Sequence, residues 1–301
     1  MPTIEVDHIA KRFGPQTAVA DVSFNVEAGE IFGLLGPNGA GKTTSIRIIL
    51  DIFKPDSGRV AVLGGGMTEE KKNRIGYLPE ERGLYQEIQL ERCLVYLASL
   101  KGLGANAARL KVGEYLERFD LAAYRRKKIK ELSKGMQQKA QLIATLVHKP
   151  DLLIIDEPFS GLDPVNTQMV KDILVEERRQ GVTIIMSTHQ MHQVEELCDR
   201  LVLIHQGKVV LYGSLGEIRK KFAAQAVLVR CEGELPETIG GVMEQEKLNG
   251  LQRLRLAPGT PPQAVLKWLV DQNVPVDQFE IAVPTLDEIF IRVVQGEGVV
   301  S

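Results

Sequence analysis

The stretch "EIFGLLGPNGAGKTTSIRIIL", residues 30–50, decides the architecture. "EIFGLLG" has the length and apolar character of a buried strand and runs into a glycine-rich turn. "TTSIRIIL" continues as a helix that must stop before Pro55. A strand before and a helix after are the context in which the pattern G-x-x-x-x-G-K-S/T, met by "GPNGAGKTT" at residues 36–44, is a phosphate loop rather than an ordinary turn. Glycine lets the backbone curl until successive N–H groups and the helix N-terminus face a polyanion. Gly36, Pro37, Asn38, Gly39, Ala40, Gly41, Lys42, Thr43 and Thr44 are the expected cradle. In it Lys42 reaches the β- and γ-phosphates and Thr43 ligates Mg²⁺.

The second half of such a site is "LLIIDEP", residues 152–158. An apolar strand delivers Asp156 to the magnesium side of the phosphates and places Glu157 one residue further on, where a carboxylate can hold and deprotonate an attacking water. Taken alone, the acidic pair could equally be a helix cap. Beside a phosphate loop it reads as the metal ligand and the general base.

Around these two motifs the chain changes character several times. The first thirty or so residues alternate short apolar segments such as "AVADVSFNV" with turns, as antiparallel strands do. "RVAVLGG" and "RIGYLP" read as further strands, and residues from about 88 to 148 as a helical insertion containing "LERCLVYLASL" and "ARLKVGEYLERF". "DLLIID" and "VTIIMSTH" return as buried strands around a helix with Asp163 at its N-cap, Pro164 at its first position and Gly181 just past its end. That is βαβ construction and a parallel sheet. After a hairpin around Gln206 and Gly207 the composition shifts near Lys220. "AVLVRCE", "LQRLRLA" and "FEIAV" are expected strands, and "PQAVLKWLVDQ" and "PTLDEIFIRVV" expected helices, of a small α+β domain. The expected domains are therefore 1–220 and 221–301.

Composition sets the outer limits. At 301 residues and 44% apolar the chain can hold one large domain and a companion, and a net charge of −2 gives no global field for nucleic acid. Cys93, Cys198 and Cys231 are far apart with no CxxC pair, against a disulfide framework or a zinc site and in keeping with a reducing cytosol. The start, "MPTIEVDHIAKRF", has acids where a signal peptide is apolar, and no run approaches the ~18 apolar residues of a spanning helix. The expectation is that any membrane is crossed by another chain. "GGG" at 64–66 lacks a following Lys-Ser/Thr and reads as a turn. His8, His148, His192 and His205 carry no motif support.

"ELSKGMQQKAQ", residues 131–141, resembles the LSGGQ signature of ABC-type ATPases and precedes the acidic strand as in that family. "PFSGLDP" is similar to the D-loop, which brings Asp163 into the nucleotide set. His189 in "MSTHQ" stands where the family has its switch histidine, and Phe13 in "KRFG" where an aromatic stacks on adenine. The resemblance covers roughly residues 4–216. It implies an α/β cassette of mixed sheet with antiparallel N-terminal strands and a helical insertion. It also implies ATP and Mg²⁺ as ligands and a mechanism needing two copies, in which Ser133 and Gly135 of one close on the γ-phosphate held by Lys42 of the other. Read from residues alone, Ser133 is also a natural N-cap for "KGMQQKAQLIATLVH", whose positive end suits a phosphate.

Two positions depart from the family pattern. Lys134 stands where Gly is usual, and Glu80, in "YLPEERGLY" at residues 77–85, falls where a Gln touches the magnesium shell. A second anion near ATP needs Mg²⁺ or Arg82 to offset it, so Glu80 is expected to keep a metal-sensing role, with Glu81 and Arg82 in an exposed coupling loop. The single cassette implies the motor subunit of a transporter. The other reading is an ATP-gated switch in translation or DNA maintenance, whose members carry two cassettes or a long coiled-coil insertion. "YLPEERGLY", "LSKGMQQK" and "PTLDEIFIRVV" together resemble bacterial sodium- and drug-efflux ATPases. They imply a homodimer on the cytoplasmic face of the membrane, a separate membrane-spanning subunit and no nucleic-acid partner. The basic run "RRKKIK", 125–130, reads as a solvated helix end, and the C-terminal domain as a dimer-stabilising or regulatory unit.

Overall fold

Alternating apolar residues pair the first two strands, β1 (Ile4–Phe13) and β2 (Gln16–Val26), into an antiparallel hairpin that turns at Gly14 with φ of 56°. The computed structural model describes residues 2–81, 83–222, 226–231, 235–248 and 250–294. Arg82, invoked above as an offset for Glu80, lies outside the described residues. After the hairpin come β3 (Ile31–Leu35), buried at every position, and α1 (Lys42–Ile49). β4 (Ser57–Val62), the short helix α2 (Glu69–Asn73) and β5 (Ile75–Leu78) follow.

The helical insertion holds α3 (Leu90–Leu100), α4 (Ala105–Arg118) and α5 (Lys134–Leu146). The α5 helix ends before the expected His148, because Lys149 takes a left-handed φ of 54° ahead of Pro150. The basic run begins at the C-cap of a 3₁₀ turn, Ala122–Tyr124, rather than of an α-helix, and leads into a second at Ile129–Glu131, with Lys128 and Lys130 both paired to Glu87 and Ile129 buried. The α/β pattern then resumes with β6 (Leu152–Asp156), α6 (Pro164–Arg179), β7 (Thr183–Thr188), α7 (Met191–Leu197), β8 (Arg200–His205), β9 (Lys208–Ser214) and α8 (Leu215–Phe222).

Among the described residues, nine strands form one sheet in the order β4-β1-β2-β9-β8-β3-β7-β6-β5. From β8 to β5 all neighbours are parallel, with Leu35 beside Thr188 and Asp156 beside Ser187. The carboxyl ends of β3, β6 and β7 therefore meet at one edge, where open α/β sheets bind their ligands. Ile154, Ile185 and Phe32 anchor the core below that edge.

The chain divides into two compact units after Leu215, against the expected break after 220. The helix α8 bridges the expected break, and its charged, amphipathic sequence hides the transition from composition alone. In the second unit β10 (Ala226–Cys231), β11 (Val242–Leu248), β12 (Leu251–Leu256) and β13 (Val276–Ile281) form an antiparallel sheet in the order β11-β12-β10-β13. The helix α9 (Pro262–Asp271) packs Val265 and Leu269 against Val227 and Leu254, and α10 (Leu286–Val294) closes the described chain. The last strand begins three residues before "FEIAV" and ends two residues short of it, paired through Phe279 and Val229. The strand β11, "VMEQEKL", was not legible in advance because its alternation is weak and charged.

Candidate functional site

Backbone geometry explains the glycines of the loop. Gly36 has φ of 149°, and a Cβ there would lie 2.2 Å from the carbonyl oxygen of Ile204 on β8. Gly41 has φ of 110°, and its Cβ would meet the Ala18 carbonyl oxygen at 2.5 Å. The loop is thus pressed between two strands at positions where no side chain fits. The β8–β9 turn supports it from below, since Gly207 N–H donates to the Ala40 carbonyl at 2.9 Å. No side chain caps α1 behind Gly41, which keeps its amino-terminal N–H groups available to an anion.

Lys42 is buried and folds over its own loop, donating to the carbonyls of Gly36 at 2.8 Å and Pro37 at 3.3 Å. Its Nζ also stands 3.6 Å from Glu157 Oε1. Two buried charges this close are each compensated by the other, and removing either would leave the remaining one stranded. Glu157 Oε1 also lies 2.9 Å from His189 Nδ1, and Thr188 Oγ1 donates to Glu157 Oε2 at 3.4 Å. Lys42, Glu157 and His189 therefore form one polar line at the carboxyl edge of the sheet. Glu157 itself adopts φ of 52°, a left-handed conformation that non-glycine residues hold only when their surroundings impose it.

Asp156, one residue earlier, is buried at the end of β6 and accepts a hydrogen bond from Ser187 Oγ on its Oδ1. Its Oδ2 is buried and has no hydrogen-bond partner. Thr43, Glu80, Lys42 and Glu157 border a cavity of about 260 Å³ over the loop. Glu80 also borders a neighbouring cavity of about 340 Å³ with Asp156 and Glu157. Tyr77, below Glu80 on β5, has its phenol pushed above the ordinary range by burial and by the charge of Asp156.

The other sequence-derived residues form a second group. Ser133 caps α5 by accepting from Met136 N–H at 3.3 Å. Asp163 caps α6, and hydrogen bonds from the Asn166 backbone and then its side chain hold the carboxyl below the usual carboxylate range. A Cβ on Gly135 would lie 3.3 Å from Asn166 Nδ2, so the two caps are neighbours. Gln138 on α5 donates to the Pro158 carbonyl at 2.8 Å, tying this group to the loop after Glu157. Phe13 is exposed at the end of β1, edge-on to Phe53 at 5.4 Å, and Gln16 just beyond it borders the phosphate-loop cavity. Ser187 is the functional candidate that motif reading passed over. The signal was its place on a buried strand two residues before the singled-out His189, but only the register puts it beside Asp156.

Residues 19–160 match the family model described as ABC transporter. Over 96% of its length the chain is 40% identical to the ABC transporter ATP-binding protein YhaQ of Bacillus subtilis, of which it covers 97%. The chain belongs to the ABC transporter ATP-binding proteins. Within that family its second unit is also assigned, for residues 213–294 match the C-terminal domain of DrrA1-3-like ATP-binding proteins. The daunorubicin resistance ATP-binding protein DrrA3 of Streptomyces coeruleorubidus is 33% identical over 96% of this chain and 95% of its own. A solved ATP-binding subunit of an ABC transporter superposes with a TM-score of 0.68 at 33% identity, covering 73% of this chain and 93% of that one. This ABC protein is thus an ATPase subunit that powers a membrane transporter. Subunits of this kind work with a separate transmembrane subunit, and among the described residues no helix is long and apolar enough to cross a membrane.

Proposed function

We propose that the ABC subunit drives an exporter from the cytoplasmic face of the membrane, as a homodimer whose sites each draw on both copies. The observation that carries the site reading is the line Lys42–Glu157–His189 beside the unpaired Oδ2 of Asp156. Glu157 is the general base, held by His189, and Lys42 is the cation for the terminal phosphates. Thr43, Asp156 and Glu80 supply oxygen donors, the chemistry a hard divalent cation requires, and the buried Oδ2 of Asp156 fits that role. Magnesium, when bound, neutralises phosphate charge. Phe13 stacks on the adenine.

Ser133, Gly135 and Asp163 belong to two neighbouring helix caps, and the exposed cap of α5 is suited to a phosphate carried by a second copy. Export is supported by the resistance function in the name of DrrA3. The second unit stabilises the dimer, so truncation after Lys221 weakens ATP-dependent dimerisation. Glu157→Gln tests the chemistry: turnover falls by about 10²–10⁴-fold while ATP binding and a closed dimer persist. Turnover at the native rate in that variant rejects Glu157 as the base.

A further inference from the structure

We propose that Ser187 is a positioning residue for ATP hydrolysis, its single hydroxyl setting both the metal-side acid and the neighbouring base. The inference rests on the site reading above and assigns a role to a residue to which the motifs of that site gave none. Ser187 is fully buried on β7, and the parallel register places it directly beside Asp156. A serine hydroxyl has one proton to donate and lone pairs to accept. The proton goes to Asp156 Oδ1. A lone pair receives the backbone N–H of Glu157 at 3.2 Å, and that same N–H reaches the Ser187 carbonyl at 3.1 Å.

Each contact has a consequence for the chemistry. With Oδ1 engaged, the carboxylate plane of Asp156 is fixed and Oδ2, buried and unpaired, is the oxygen left for a cation. With the Glu157 N–H held at two points, the backbone is kept at φ of 52°, from which its side chain reaches Lys42 and His189. A hydrogen bond to a ligating carboxylate orients it and tunes its affinity for metal.

The test uses the full-length protein with Ser187→Ala, which removes one oxygen and little volume. ATP affinity in EDTA stays at the native value, because the loop and Lys42 are untouched. The Mg²⁺ concentration for half-maximal nucleotide binding rises about ten-fold, and kcat falls by about 10–100-fold, the range for lost outer-shell partners. A folded Ser187→Ala protein with native half-saturation by Mg²⁺ overturns the proposal, as does an equal loss of affinity with and without Mg²⁺. If circular dichroism shows that this variant does not fold, Ser187→Cys keeps the volume with a weak donor and must show the same Mg²⁺ shift. Asp156→Asn run alongside separates the two readings. A shift in Asp156→Asn without one in the Ser187 variants overturns only the positioning role, whereas no shift in Asp156→Asn rejects the metal site itself.

Discussion

The two units of the chain treat polar groups in opposite ways. In the first, Lys42, Asp156, Glu157, Ser187 and Thr188 are all buried at the carboxyl ends of the sheet, and Glu157 holds a left-handed backbone. In the second, among the described residues, no buried polar or charged side chain is present. Its charges pair at half-buried and exposed positions instead, Arg253 with Glu288 and Arg255 with Glu244. Burying a charge is expensive unless it is paired, so a fold keeps such groups where chemistry uses them. The difference teaches that the first unit is built around reactive groups and the second around an apolar core of Val227, Leu254, Val265 and Leu269.

The sharpest way to break this contrast is Lys42→Ala. It removes the cation of the loop and strands Glu157, and kcat falls on the order of 10²–10³-fold, read by phosphate release. Leu254→Ala probes the opposite case. It opens a cavity in the second core and lowers that unit's stability by about 2–5 kcal/mol in denaturant unfolding, while ATP affinity stays native.

His148 sharpens the contrast through pH. Burial, and then the charge of Lys101, pushes its imidazole from 6.5 down to about 4. The unfolded chain therefore binds a proton before the folded one does, and stability falls as pH drops from 6.5 toward 4, by up to about 3 kcal/mol. His148→Leu flattens that part of the stability–pH curve, and an unchanged slope would refute the cause. The smallest effect belongs to the second unit's surface: Arg255→Ala changes stability by about 1 kcal/mol or less, measured as a shift in unfolding midpoint.

Much of the first unit was legible because its elements carry strong local signals. "LLIID" and "VTIIMST" are continuous apolar runs, "LERCLVYLASL" repeats at helical spacing, and α3 spans that segment from Leu90 to Leu100. Short or charged elements were not legible. The helix α2 is a five-residue polar turn, and β11 carries three charges in seven residues, so neither shows a periodicity that separates it from loop. The ends of α5 and β13 shifted because a left-handed Lys149 and a strand register, rather than composition, stop or place them.

By itself the sequence determined the family, the α/β class and the glycine-rich phosphate loop, because glycine positions, apolar runs and motif order are local properties. Only the tertiary structure decided that Glu157 lies between Lys42 and His189, that Asp156 keeps one oxygen unpaired, and that the Ser187 hydroxyl joins the Asp156 carboxylate to the Glu157 backbone N–H. Those contacts join residues about thirty or more than a hundred positions apart, through the parallel register of β6 on β7 and of β7 on β3. No spacing rule along a chain encodes which strands become neighbours; burial of their apolar faces does.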